Sequence, residues 1–116
     1  MSSDEKTPLE LIMEGSFDKG LEAYKNGKVK DMDHYFLSED YLNNTGYALL
    51  GKKDFTKAID FFRVNSILYP NSQNVYDSLG EAYVKAGQKD KAKQTYQKLL
   101  EINPKNENAA KALKTL

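Results

Sequence analysis

The chain has no cysteine and no tryptophan, one histidine, three prolines among 116 residues, and no net charge. Without cysteine it forms no disulfide, has no thiolate nucleophile and offers no thiolate to a metal. His34 has no second imidazole with which to share a zinc ion, so neither a metal site nor a cofactor is expected. Seventeen basic residues against seventeen acidic ones leave no excess positive field. That balance argues against general nucleic-acid binding and against attraction to an anionic membrane. No apolar run reaches the length of a membrane span, and the first residues lack the apolar stretch of a secretory signal.

What is present is ordinary in bulk and periodic in detail. A hydrophobic content of 40% and a charged content of 29% suit one globular domain. Two stretches superimpose at an offset of 34 residues: Gly46 falls on Gly80, Ala48 on Ala82, Ala58 on Ala92 and Pro70 on Pro104. The apolar positions keep step, Leu42 with Tyr76, Leu49 with Tyr83, Phe62 with Tyr96 and Leu68 with Ile102. A fixed period of this length marks a repeat array. Such arrays work by offering an extended surface to a partner.

Within that period the spacing is helical throughout. Residues 1–7 are polar and read as a disordered terminus. Leu9, Ile12, Met13, Phe17, Leu21 and Tyr24 recur at three- and four-residue intervals, which predicts a helix from Pro8 to the stop at Asn26-Gly27. In the connector that follows, to residue 37, Met32, Tyr35, Phe36 and Leu37 are expected to pack on the array. Ser38 suits the cap of a helix to about Leu50 with Gly51 near its end, and Asp54 the cap of a helix over 55–68 that Pro70 prevents from continuing. Ser72 suits the cap of a helix over 73–86 with Gly87 at its end. A further helix is expected over 89–102, and a last one from Asn106 over 107–115. The expected fold is all-α, an antiparallel helix-pair solenoid. Its units cover about 39–72 and 73–106, between an extra N-terminal helix within 8–37 and a capping helix over 107–116.

These residues at these intervals resemble the tetratricopeptide repeat, a helix–turn–helix unit. The second unit carries Tyr76, Leu79, Gly80 and Tyr83 on its first helix, Ala92 and Tyr96 on its second, then Pro104. The first departs from the pattern at Leu42, where an aromatic is usual, and at Thr45, where leucine is usual. Gly80 lies mid-helix and is expected to pack against Ala92, while Tyr83 and Tyr96 fill the space between pairs. Lys114 replaces the glycine of a third unit, as a terminal cap allows. Two units are few for such an array. The N-terminal helix, through Leu9, Met13, Phe17 and Leu21, is expected to supply the missing layer.

The resemblance implies a non-catalytic interaction module that binds a peptide or protein segment in a concave groove lined by the first helix of each unit. The groove positions are Asp40, Asn43, Asn44, Tyr47 and Leu50, then Asn74, Asp77, Ser78, Glu81, Val84 and Lys85, then Asn108 and Lys111. Asp77 and Glu81 give its centre a mildly acidic character that favours a basic partner. The clamp with which some family members grip a chaperone's C-terminal carboxylate is absent. Asn43, Tyr47, Ser78, Asn108 and Ala112 stand where its lysines, asparagines and arginine belong. Residues 68–87 also resemble the tetratricopeptide tail of some bacterial exported serine hydrolases. The alternatives are therefore an accessory tail of a bacterial hydrolase system and a homo-oligomeric adaptor stacked end to end. The compartment follows the alternative, cytoplasmic for the lone module and periplasmic for an excised tail.

Other motifs are better read as packing. Gly46 to Lys53 comes within one residue of a phosphate-binding loop, but no buried strand precedes it and no hydroxyl follows the first lysine. Ser3 to Lys6 matches the S-x-x-K of some serine hydrolases on a polar terminus with no fold around it, so no catalytic residue is assigned. Asn43-Asn44-Thr45 reads as a glycosylation sequon within a helix. The tyrosines fall on repeat positions, and Lys89, Lys91, Lys93 and Lys98 read as a solvated face.

Overall fold

Four of the five helices in residues 38–116 start at a side chain that closes their first turn. The structure, a computed structural model, describes those residues together with Asp18, Lys19 and Glu22, which are helical and exposed. The expected terminus over 1–7, the packing of Leu9, Met13, Phe17 and Leu21, and the connector with His34 lie outside the described residues.

The helices are α1 (Glu39–Gly51), α2 (Phe55–Leu68), α3 (Gln73–Lys85), α4 (Lys89–Ile102) and α5 (Glu107–Thr115). Ser38, Asp54, Ser72 and Asn106 each accept a hydrogen bond from the amide three residues on, at 3.2, 3.3, 3.4 and 3.0 Å. Each satisfies one donor that the first turn leaves unpaired. Gln88, which precedes α4, makes no such bond. No strand occurs among the described residues, so the all-α expectation holds.

The two turns inside the helix pairs are copies of one another. The Lys53 amide donates to Leu50 O and the Asp54 amide to Leu49 O, both at 3.0 Å; one period later Gly87 donates to Val84 O and Gln88 to Tyr83 O, at 3.0 and 2.9 Å. This closure needs a left-handed residue at its apex. Gly87 supplies it at φ 78°, and Lys53 takes it at φ 63°. Gly51, expected to terminate α1, is its last helical residue, and the strained position falls two residues later.

α1 packs on α2, α2 on α3, α3 on α4 and α4 on α5, while α1 also touches α3 directly. One apolar cluster runs through the stack, including Leu50, Ala58, Phe62, Leu79, Ala82, Ala92, Leu99 and Ala109. Within each pair the close approach is made by an aromatic ring lying on a glycine. A β-carbon on Gly46 would overlap the edge atoms Cδ1, Cε1 and Cζ of Phe62, and one on Gly80 would stand 2.6 Å from Tyr96 Cζ. At Gly80 the nearest neighbour is the Tyr96 ring, a contact the sequence did not assign, and Ala92 is fully buried in the same core.

The repeat is imperfect at two core positions. Ala82 is fully buried while its counterpart Ala48 is exposed, because α2 covers that face of α3 and no described helix covers it on α1. Asn65 takes the place of Leu99, and both are fully buried. Its Nδ2 donates to Glu39 O at 3.0 Å, and its Oδ1 finds no partner among the described residues.

Two stability changes follow. A left-handed lysine costs about 1–2 kcal/mol relative to its relaxed backbone. Lys53→Gly should therefore raise stability by about 0.5–1 kcal/mol after glycine's own entropy is counted, read as a higher urea midpoint. Gly80→Ala gains about 1 kcal/mol of helix propensity but drives a methyl into a buried ring, at about 1–3 kcal/mol. The net effect should be destabilising, and a midpoint at or above the parent's would show that the ring yields freely.

Candidate functional site

The face of α1 and α3 turned away from α2 and α4 is where polar groups of the two units meet. Regular helical spacing presents Asn43 and Tyr47 from α1, and Asp77, Ser78 and Glu81 from α3. Direct contact between the helices brings them together. Ser78 Oγ donates to Asn43 Oδ1 at 2.6 Å, and the Tyr47 hydroxyl donates to Glu81 Oε1 at 2.9 Å. The Tyr47 ring stands edge-on to Phe62 at 5.2 Å between centroids, so this aromatic has a packing role as well as an exposed one. Lys85 Nζ lies 3.5 Å from Glu81 Oε2, which leaves both oxygens of Glu81 occupied.

Asp77 has neither an ion pair nor a hydrogen bond among the described residues. Burial, and after it the charge of Glu81, pushes its carboxyl above the usual range. Tyr47 is shifted upward by burial first and by Glu81 and Asp77, against the Ser78 hydroxyl, which pulls it down. Tyr96 is pushed up to about 12 by burial and then by the charges of Asp77 and Glu81. These shifts place the Tyr96 phenol within the field of the same two carboxylates, although Tyr96 belongs to α4.

Most of the expected groove residues are at the surface. Asp40, Asn44, Tyr47, Asn74, Val84, Lys85, Asn108 and Lys111 are exposed, and Asn43, Asp77 and Glu81 are half-buried. Two are not on the open face. Leu50 is in the core at 5% exposure, because α1 turns its last residues toward α2; Ser78 is 1% exposed, under Asn43. The residue that sequence reasoning missed is Tyr96, assigned to packing alone. The change from Phe62 to Tyr96 at the repeat offset was its signal, since it adds a hydroxyl where packing needs none.

A depression of about 440 Å³ lies between α2 and α4 on another side of the stack. Thr56, Asp60, Arg63, Tyr83, Gln88 and Lys91 line it. Lys91 Nζ sits 6.0 Å from the centroid of the Tyr83 ring, and Arg63 pairs with Asp60 at 3.8 Å. Burial raises the Asp60 carboxyl against the pull of Arg63. Its charges are mixed and largely matched to each other.

Among the described residues no group of three metal-ligating side chains occurs, and no helix is long and apolar enough to cross a membrane. Gly46 and Gly51, the glycines of the near-match to a phosphate loop, both lie in α1.

A family model for the tetratricopeptide repeat matches residues 73–106, the span of α3, α4 and the turn that follows. The fold is similar to that of the first TPR of Spaghetti (RPAP3), solved bound to the HSP90 peptide SRMEEVD. The TM-score is 0.63 at 21% identity, with 93% of this chain and 82% of that chain covered. Residues 73–106 are a tetratricopeptide repeat, and the described helices share the fold of such an array. No curated protein matches the chain in sequence.

On the α1–α3 face Asp77, half-buried and without a hydrogen bond or ion pair among the described residues, also faces the like charge of Glu81, an arrangement that lowers stability. An aspartate whose folded pKa is raised binds more protons folded than unfolded, so stability falls as pH rises between the two values. Asp77→Asn removes that penalty and breaks no hydrogen bond. It should raise the urea midpoint at pH 7, with the gain fading as the pH is taken down to about 3. An unchanged midpoint at pH 7 would show that Asp77 is not penalised.

Proposed function

We propose that this protein is a non-catalytic interaction module that binds an extended peptide segment along the face formed by α1, α3 and α5. The observation that carries the reading is the row of exposed and half-buried hydrogen-bonding side chains on that face. Asn43, Asn44 and Tyr47 are followed by Asn74, Asp77 and Glu81, and then by Asn108 and Lys111. Amides and carboxylates at helical intervals match the alternating donors and acceptors of an extended backbone. They sit on helices held by buried packing, so little order has to be created on binding. The similar Spaghetti domain, solved with a peptide, supports the same reading.

The peptide class differs from the one in that complex. SRMEEVD ends in an acidic run, whereas the centre of this face is itself acidic through Asp77 and Glu81. A carboxylate-rich segment would meet like charge, which disfavours a wrong partner.

The test uses a library of heptapeptides blocked at both ends, selected on the isotope-labelled full chain. Selected peptides should shift the backbone amides of Asn43, Tyr47, Asn74, Asp77, Glu81 and Asn108. Shifts confined to Thr56, Asp60, Gln88 and Lys91 would move the site to the α2–α4 depression and overturn this reading.

A further inference from the structure

Superposing one unit on the next shows where the groove lacks a partner of its own. Across α1 and α3, Asn43 meets Ser78 and Tyr47 meets Glu81, at separations of 35 and 34 residues. The same separations one unit on set Ala112 against Asp77 and Thr115 against Glu81. A methyl group replaces the hydroxyl, and Thr115 turns its own hydroxyl back to Ala112 O at 3.0 Å. α5 packs on α4 and meets α3 less than α1 does. The second interval of the groove therefore leaves Asp77 as an acceptor without a donor among the described residues.

Tyr96 adds an independent observation. It is only 6% exposed, yet the hydroxyl end of its ring lies over Gly80, where a β-carbon would meet Cζ. That hydroxyl makes no hydrogen bond among the described residues and is not among the atoms sealed from solvent without a partner. In the first unit Phe62 carries nothing at this place. A buried phenol thus directs a free oxygen past Gly80, into the field of Asp77 and Glu81.

We propose that Asp77, Glu81 and the Tyr96 hydroxyl form a seat for the cationic side chain of a lysine or arginine in the bound segment. The proposal rests on the reading of this face as the peptide groove and names what its second interval recognises. The Asp77 carboxylate and the Tyr96 hydroxyl, from two helices, match the several N–H donors of an ammonium or guanidinium group. No third carboxylate or imidazole joins Asp77 and Glu81 to make a metal-ligand cluster among the described residues, so the organic cation fits better. The cation also relieves the like-charge contact that raises the Asp77 carboxyl. Glu81 remains tied to Tyr47 and Lys85 in the free protein, so Asp77 is the principal acceptor and Glu81 supplies field.

The experiment reads residue preference rather than location. Heptapeptides selected from the blocked library should share a lysine or arginine at one position. Replacing it by norleucine should weaken binding about tenfold, the scale of a charge-assisted hydrogen bond. Asp77→Asn should cause a similar loss toward the basic peptide and none toward its norleucine version. Tyr96→Phe, which restores the residue type of the first unit and should fold, should cause a smaller loss with the same selectivity. Selected peptides that shift the α1 and α3 amides but carry no common basic residue would overturn the seat and leave the groove standing. An equal norleucine penalty in the parent and in Asp77→Asn would do the same. Peptides that leave the α1 and α3 amides unmoved would remove groove and seat together.

Discussion

Two aromatic rings lying on two glycines set the geometry on which the rest of this structure depends. Phe62 against Gly46 and Tyr96 against Gly80 let α2 and α4 approach α1 and α3 more closely than any β-carbon would allow. Each glycine costs its helix about 1 kcal/mol, which the burial of a large aromatic side chain, at about 1.5–3 kcal/mol, offsets. The contact also determines what stands at the open face. A ring that crosses its glycine delivers its far end beside the next residue of that helix. In the first unit the ring meets the edge of Tyr47. In the second the corresponding neighbour is Glu81, and the ring ends in a hydroxyl.

The join between units is held at one end by polar groups that serve two helices at once. Ser72 accepts from the Val75 amide and donates to Glu39 Oε2 at 3.0 Å. Asn106 accepts from the Ala109 amide through Oδ1 and donates to Gln73 Oε1 at 3.1 Å through Nδ2. Each cap therefore starts its own helix and ties it to the start of the equivalent helix one unit earlier, at a separation of 33 residues both times. Exposed bonds of this kind contribute little energy, but their repetition fixes the spacing at which α1, α3 and α5 present their outer faces. Asn65 joins the first of these ends by holding the Glu39 carbonyl. Its unpaired Oδ1 costs about 1–3 kcal/mol that Leu99 avoids in the second unit.

The period, the helices and their caps were legible because each is a local property. A short polar side chain before an apolar run reports a helix start regardless of what lies beyond. The apex of the turn was less legible, since the left-handed residue is a lysine in one unit and a glycine in the other. Helical spacing sorted exposed from buried positions on α1 and α3 until a residue lay between two neighbours. Leu50 and Ser78 fall on the outward side of a cylinder, but one is taken up by the packing of α1 on α2 and the other by the contact of α1 with α3. Tyr96 was hidden for the opposite reason. Its ring has a repeat position that packing explains completely, and only the place of the hydroxyl beyond Gly80 gives it a second role.

Net charge was equally silent about this face, because the sum over the chain is zero. The signs are unevenly distributed. α3 carries Asp77 and Glu81 toward the groove with Lys85 beside Glu81, while Lys89, Lys91, Lys93 and Lys98 lie on α4 with Asp90 and Glu101. Packed helices stand about 8–10 Å apart, and side chains on their opposite faces stand farther. Salt screens exposed charges over about 8 Å at physiological strength. A segment approaching the groove therefore meets the carboxylates of α3 largely unopposed by the lysines of α4. Its charge preference is set by the face it touches, and a neutral chain can still select a basic partner.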